Sequence, residues 1–410
     1  MRVVLGLVVV LLVLLGFLAV LPPSGAVLEP ARIGAVKALL DRRAHAVETR
    51  DEQAFLADLD PSASADFRTR QKQLFDNLAD VPVGDWAYRV AGATPLDGVR
   101  LPAADEAFAP GVRLAYRLRG VDAEPAVRDL AYLFTRRGDR WYLNSDTALE
   151  PVGRKTWRGP WDFGPCVVRS GAGGFVIAHP GGEAFAAKVL GEVDDAVAAV
   201  TAVWGEDWSR QVAVVVPGGA EEMRSLVGPG FADGSIAGVA VADRVDPTTH
   251  VALGQRVVLN PDTASALPPL PLRVLLRHEI THVAARGRTA DGAPMWLLEG
   301  FADYVGYRGS EVSPRSAAPA LAAVLRSGVP ADLPADADFR GASMELAYQE
   351  AWTFNEYLVS VVGEPGLVAL YRRIAAAGRS DVDALLWETT GRDRASLVRG
   401  WQDFLRERFT

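Results

Sequence analysis

Cysteine, lysine, histidine and methionine are all scarce in this chain. Cys166 is the one cysteine, so no disulfide can form within the chain and no thiolate cluster can hold a metal. A lone cysteine of this kind reads as a small buried hydrophobe. Lysine occurs four times among 43 basic residues, at Lys37, Lys72, Lys155 and Lys188. The basic residues are interspersed with 51 acidic ones to a net charge of −8 and form no basic stripe, which argues against a nucleic-acid partner. Disorder is equally disfavoured, because 49% of the residues are apolar, enough for two or three domains with cores of their own. With five histidines in 410 residues, any two at a functional spacing stand out.

Only one long hydrophobic run is present. Val3–Leu21 is 19 consecutive apolar or glycine residues, preceded by Arg2 and closed by Pro22-Pro23. Its length suits a transmembrane anchor within residues 1–25, while Ser24-Gly25-Ala26 offers a signal peptidase small residues, so a cleaved signal is the alternative. Either way the rest of the chain is expected outside the cell membrane, single-pass or secreted. Arg32, Lys37, Arg42 and Arg43 after the run, against Arg2 before it, oppose that orientation under the positive-inside rule.

From 29 to 150, Ile33–Thr49, Asp51–Leu59 and Ala63–Leu78 have helical periodicity. Strand-like runs follow at Asp85–Ala91, Val112–Leu118, Arg128–Thr135 and Arg140–Leu143. Helices first and then a curled antiparallel sheet resembles the nuclear transport factor 2-like α+β cone, a fold that hosts enzymes, binders and spacers alike. No acid–base pair stands out there, and His45 reads as a surface residue. Pro151–Pro165 is expected to be a linker to a second domain, 165–410. In that domain strands are expected at Phe175–Ala178, Gln211–Val216, Ile236–Ala242 and Arg256–Leu259, the last two separated by a polar turn, and helices at Gly182–Trp204 and Glu221–Val227. Beyond Tyr307 the pattern is helical: Ala317–Arg326, Ser343–Val362, Gly366–Ala377, Val382–Glu388 and Ala395–Phe409. The fold class is therefore α+β, with a sheet lobe at 165–287 and a helical lobe at 288–410.

The chemistry concentrates between 271 and 304. His278 and His282 stand four apart in a segment whose Leu272, Leu275, Leu276, Ile280 and Val283 have helical spacing and whose Gly287 is a natural stop. On a helix both imidazoles share one face and can reach one ion. Glu279 lies about 100° further round, beside the ion's open position, where a general base belongs. A chance His-Glu-x-x-His string is the alternative, and context decides between them. Catalytic zinc takes three protein ligands and leaves a place for water. A metzincin third ligand is excluded, since Ala285 and Arg288 stand where that pattern needs Gly and His. Glu299, on a second apolar segment from Met295 to Tyr307, is the candidate. Asp303, one turn on, can accept the spare N–H of a ligand histidine.

His278-Glu279-x-x-His282 followed by Trp296-Leu297-x-Glu299-Gly300-x-Ala302-x-Tyr304 resembles the gluzincin metallopeptidases, the clan of thermolysin and the aminopeptidase N family, and most closely its small bacterial peptidase MA-like branch. The resemblance spans roughly 165–410, is strongest in 270–305, and extends to Ala347–Leu358 and Gly363. It implies a Zn2+ cofactor, a peptide or protein substrate, and for Tyr348 the role of the tyrosine that hydrogen-bonds the oxyanion; a core aromatic with a wet hydroxyl is the other reading of Tyr348. It also implies that one of the two strands 236–242 and 256–259 is a sheet edge beside the metal that pairs with substrate. Aminopeptidase N relatives carry a Gly-Ala-Met-Glu-Asn segment there, whose glutamate grips a free amino terminus. Gly238-Val239-Ala240-Val241-Ala242 has no such carboxylate, which leans towards internal cleavage. His179 and His250 lack a metal-spaced partner and read as loop histidines.

The expected reaction is zinc-dependent peptide hydrolysis, with His278, His282 and Glu299 as ligands, Glu279 as base and activity falling at low pH as these groups protonate. The alternatives are a non-catalytic, membrane-tethered scaffold in which zinc is a structural clip, and a binding protein acting through 29–150. Oligomeric state is not legible.

Overall fold

The computed structural model describes residues 24–228, 236–246, 248–378 and 381–409, with side chains from Glu29 onward. The run Val3–Leu21 lies outside them. Among the described residues no helix is long and apolar enough to cross a membrane. Helices and sheets are both extensive and the fold is α+β.

The N-terminal unit opens with α1 (Ser24–Thr49), α2 (Glu52–Ala57) and α3 (Ala65–Asn77). α1 buries Val36, Leu39, Leu40, Arg43 and Val47, the three-and-four spacing of one helix face. Asp51 caps α2 through Ala54 N–H, and Ser64 caps α3 through Phe67 N–H. Two three-stranded antiparallel sheets follow. One has the order β1 (Val83–Ala93), β3 (Pro110–Leu118), β4 (Ala126–Leu130); the other β2 (Glu106–Phe108), β5 (Leu133–Arg137), β6 (Arg140–Ser145). The run expected as one strand, Arg128–Thr135, is thus two strands in different sheets, broken at Ala131-Tyr132. Both break residues are buried, so the chain turns inside the core with no polar turn residue to mark it. Pro151–Pro165 is packed, not loose: Trp161 is 2% exposed and meets Trp86 and Tyr116 edge to face.

The second unit is built on a five-stranded mixed sheet ordered β10 (Gly238–Val241), β13 (Arg256–Leu259), β9 (Val212–Val215), β8 (Gly174–Ala178), β7 (Val167–Gly171). β8, β9 and β13 run parallel, and the two outer strands are antiparallel to their neighbours. Where a polar turn was expected between β10 and β13, a hairpin of β11 (Arg244–Asp246) and β12 (Val251–Leu253) is inserted. Strand alternation divides the sheet's residues between two cores. Val176, Val214, Val257 and Leu259 face α4 (Glu183–Trp204) and the helices beyond, while Phe175, Ile177 and Ala213 join the N-terminal core. The apolar core of the N-terminal unit therefore continues past residue 150 onto the back of this sheet.

The remaining helices are α5 (Ala220–Val227), α6 (Pro261–Ala264), α7 (Pro269–Ala285), α8 (Met295–Tyr307), α9 (Pro314–Ala317), α10 (Pro319–Val324), α11 (Met344–Ala377), α12 (Val382–Thr390) and α13 (Arg394–Arg408). α11 comprises the two helices expected at 343–362 and 366–377, meeting end to end across a break at Gly363, whose φ of 73° and ψ of 166° are non-helical. α7, α8 and α11 pack side by side. Gly300 makes the last approach possible, because a Cβ there would collide with the Ala351 carbonyl and the Asn355 amide of α11.

A candidate metal centre between two helices

α7 turns its apolar residues Leu272, Leu276, Ile280 and Val283 into the core, which leaves His278, Glu279 and His282 towards α8 and β10, the outermost strand of the sheet among the described residues. α8 buries Trp296, Leu297, Phe301 and Val305, and so presents Glu299 and Asp303, one turn apart, back to α7. The result is a convergence that chain spacing alone does not guarantee. Glu299 Oε2 lies 3.1 Å from His278 Nε2 and 3.4 Å from His282 Nε2, and the two Nε2 atoms are 3.1 Å apart. Asp303 Oδ1 is 2.7 Å from His278 Nδ1.

These residues fit a zinc ion on their own geometry. Tetrahedral zinc with bonds of ~2.0–2.1 Å holds neighbouring ligand atoms about 3.3 Å apart, the spacing of this triangle. Donor chemistry agrees. Asp303 accepts the Nδ1 proton of His278, which leaves the Nε2 lone pair directed at His282 Nε2 and the Glu299 carboxylate. With both imidazoles neutral at these nitrogens, three lone-pair-bearing atoms face one point, an arrangement that a cation satisfies.

Electrostatics point the same way. Burial opposes a charge on His278, yet Asp303, Glu299 and Glu279 outweigh it and raise its affinity for a proton well above the ordinary imidazole range. Burial likewise acts to raise Glu299, but the two imidazoles hold it far below the usual carboxylate range. Glu279 is 6% exposed and is raised by burial, against the pull of both histidines and a hydrogen bond from Ala240 N–H. Among the described residues no lysine or arginine pairs with Glu279, Glu299 or Asp303.

Tyr348 comes from the first turns of α11. Its ring lies 6.1 Å from that of His278 and 5.3 Å from Phe339, and its hydroxyl feels the charge of Glu299. Burial, then the Glu299, Asp303 and Glu279 charges, raise the phenol above its usual range, so it stays a protonated donor at neutral pH. All six residues singled out in the sequence therefore lie around one point.

The other histidines are elsewhere. His45 is exposed. His179 Nε2 is 2.8 Å from Glu222 Oε2 and its Nδ1 2.9 Å from the Pro165 carbonyl, while His250 Nδ1 is 3.3 Å from the Gly287 carbonyl. Cys166 is buried, and burial pushes its thiol up to about 12.

Two features of the site were not legible in the sequence. Between the two candidate edge strands, β10 is the edge and β13 is interior. Ala237 C=O accepts from Asn260 N–H, towards β13, so by strand alternation Ala240 faces outward. Its N–H thus reaches Glu279 from the open side of the sheet. No residue type signals this, because the group is backbone and its direction depends on register. A scan of the chain against protein-family models finds no match, and no curated protein matches it.

Proposed function

We propose that this protein is a zinc-dependent peptidase of the gluzincin type, with a nuclear transport factor 2-like accessory unit at about 29–150 and a two-lobed catalytic unit at about 165–410. The supporting observation is the triangle of His278, His282 and Glu299 with Asp303 behind it and Glu279 beside it. Zinc bound there would supply Lewis-acid polarisation of a peptide carbonyl and acidify water to near-neutral pKa. Glu279, within the buried site, takes the proton of the attacking water on a carboxylate oxygen. The new C–O bond forms in that attack, and Glu279 then returns the proton to the departing amine as the C–N bond breaks. Tyr348 donates its phenolic hydrogen to the oxygen on which charge develops.

The open edge of β10 supplies the place for substrate. Ala240 points its backbone outward, its N–H towards Glu279 and its carbonyl free to accept from an extended peptide laid antiparallel alongside Glu279. β10 bears no acidic side chain to capture a free amino terminus, which favours internal cleavage. The long apolar run at 3–21 supports a location at, or export across, the cell membrane. Digestion of a peptide library by the zinc-loaded full chain tests the reading. Cleavage by the wild type and none by Glu279→Gln of equal zinc content supports it. Full zinc occupancy with no cleavage by either would leave the metal as a structural clip.

A further inference from the structure

A buried cluster of four ions ties the N-terminal unit to the strand beside the metal. Asp122, between β3 and β4, accepts both Arg256 Nη1 and Nη2 at 2.6 and 2.7 Å, and the two side chains are 4% and 7% exposed. Arg128 on β4 pairs with Asp243, and its guanidinium lies 4.8 Å over the Trp157 ring. Asp122 and Arg128 belong to the N-terminal unit, while Asp243 and Arg256 flank the β11–β12 hairpin at its base.

That base is tightly specified. Asp243 N–H donates to Leu253 C=O at 2.8 Å. The Asp243 carboxylate sits where any Cβ on Gly254 would be, and Gly254 has a φ of 62°. Arg256 is the register partner of Val241, the last residue of β10. The ions therefore grip both strands that lead into the hairpin. Buried ion pairs are a poor way to gain stability, since apolar residues of equal volume do as well or better. What the fork of Arg256 on Asp122 adds is a fixed orientation. The strand so oriented is the one whose Ala240 N–H meets Glu279, three residues before Asp243.

Resting on the peptidase reading, we infer that the N-terminal unit is a positioning element for the substrate-binding edge. Asp122, Arg128, Asp243 and Arg256 hold β10 and its hairpin in the register that accepts a peptide, and they have no part in holding the metal.

Hydrogen exchange and steady-state kinetics on full-length Asp122→Asn test this. Exchange should quicken in 238–246 and 251–259 and stay unchanged in α7 and α8. Zinc content should be that of the wild type. KM should rise about 2- to 30-fold while kcat moves less than about twofold, the range expected for coupling through such a network. If Asp122→Asn does not fold, Arg128→Met, at the more exposed end of the cluster, carries the same test. Unchanged exchange in the edge and hairpin overturns the inference, as does faster exchange with unchanged KM. Should the zinc-loaded wild type cleave no peptide, the peptidase reading fails separately, and the exchange result still decides whether the cluster holds the edge.

Discussion

Two groups of buried acids in the molecule are treated in opposite ways, those of the N-terminal unit and those around α7 and α8. In the N-terminal unit each buried carboxylate is answered by arginine. Asp58 takes Arg42 and Arg140, Asp60 takes Arg137, and Asp146 takes Arg70 and Arg158. Asp60 is also filled by Thr135, Ser62 and Asn144, so nothing is left to bind. Around α7 and α8, three carboxylates meet two imidazoles and no guanidinium. Acids neutralised by the chain's own cations are structural, whereas acids gathered without one call for a cation from outside. This contrast, more than the His-Glu-x-x-His string itself, supports the proposal of a metal centre around α7 and α8.

The contrast can be broken by mutation, most severely at the ligands. Glu299→Ala should abolish stoichiometric zinc binding, measured by metal analysis after dialysis, while leaving the N-terminal unit folded. Glu279→Gln should retain zinc and lower kcat about 10²- to 10⁴-fold, read from initial rates on a cleaved peptide. Asp303→Asn, which keeps an acceptor but loses the charge behind His278, should weaken zinc affinity about 10- to 100-fold in a competition titration with a chelator.

Acids of the N-terminal unit should show the reverse pattern, with effects on folding and none on metal. Asp60→Ala leaves Arg137 and Thr135 without their partner and should cost about 3–5 kcal/mol in denaturant unfolding, with zinc content unaltered. The smallest effect sharpens the comparison through pH. Burial pushes Asp162 up to about 7 despite the pull of Arg158. Its folded pKa therefore lies above its unfolded one, and the native state binds the extra proton between roughly pH 4 and 7. Stability must fall as pH rises through that window. Asp162→Asn still accepts from Gly159 N–H and should flatten the slope, gaining on the order of 1–3 kcal/mol over the wild type at pH 8.

How much of this was legible in the sequence depended on whether a signal was local. α7 and α8 were readable because their apolar spacing, a proline at one end and the ligand spacing coincide within 40 residues. Asp303 followed from its four-residue offset to Glu299. The turn at Ala131-Tyr132 was hidden because apolar residues fill it, and β2 at 106–108 because three residues carry no period. The β11–β12 hairpin passed for a polar turn, since its strands are short and half-exposed. The Ala240 N–H on Glu279 and the Asp122–Arg256 pair were beyond reach for a different reason. One depends on strand register and the other joins residues 134 apart in the chain, and neither leaves a trace in local composition.

The central claim is that three side chains from two helices share one divalent ion. Titration of zinc into metal-free protein, wild type against Glu299→Ala, tests it most directly. One tight site in the wild type, lost in the variant, is the predicted result. No binding by the wild type, or the same affinity without Glu299, would contradict it.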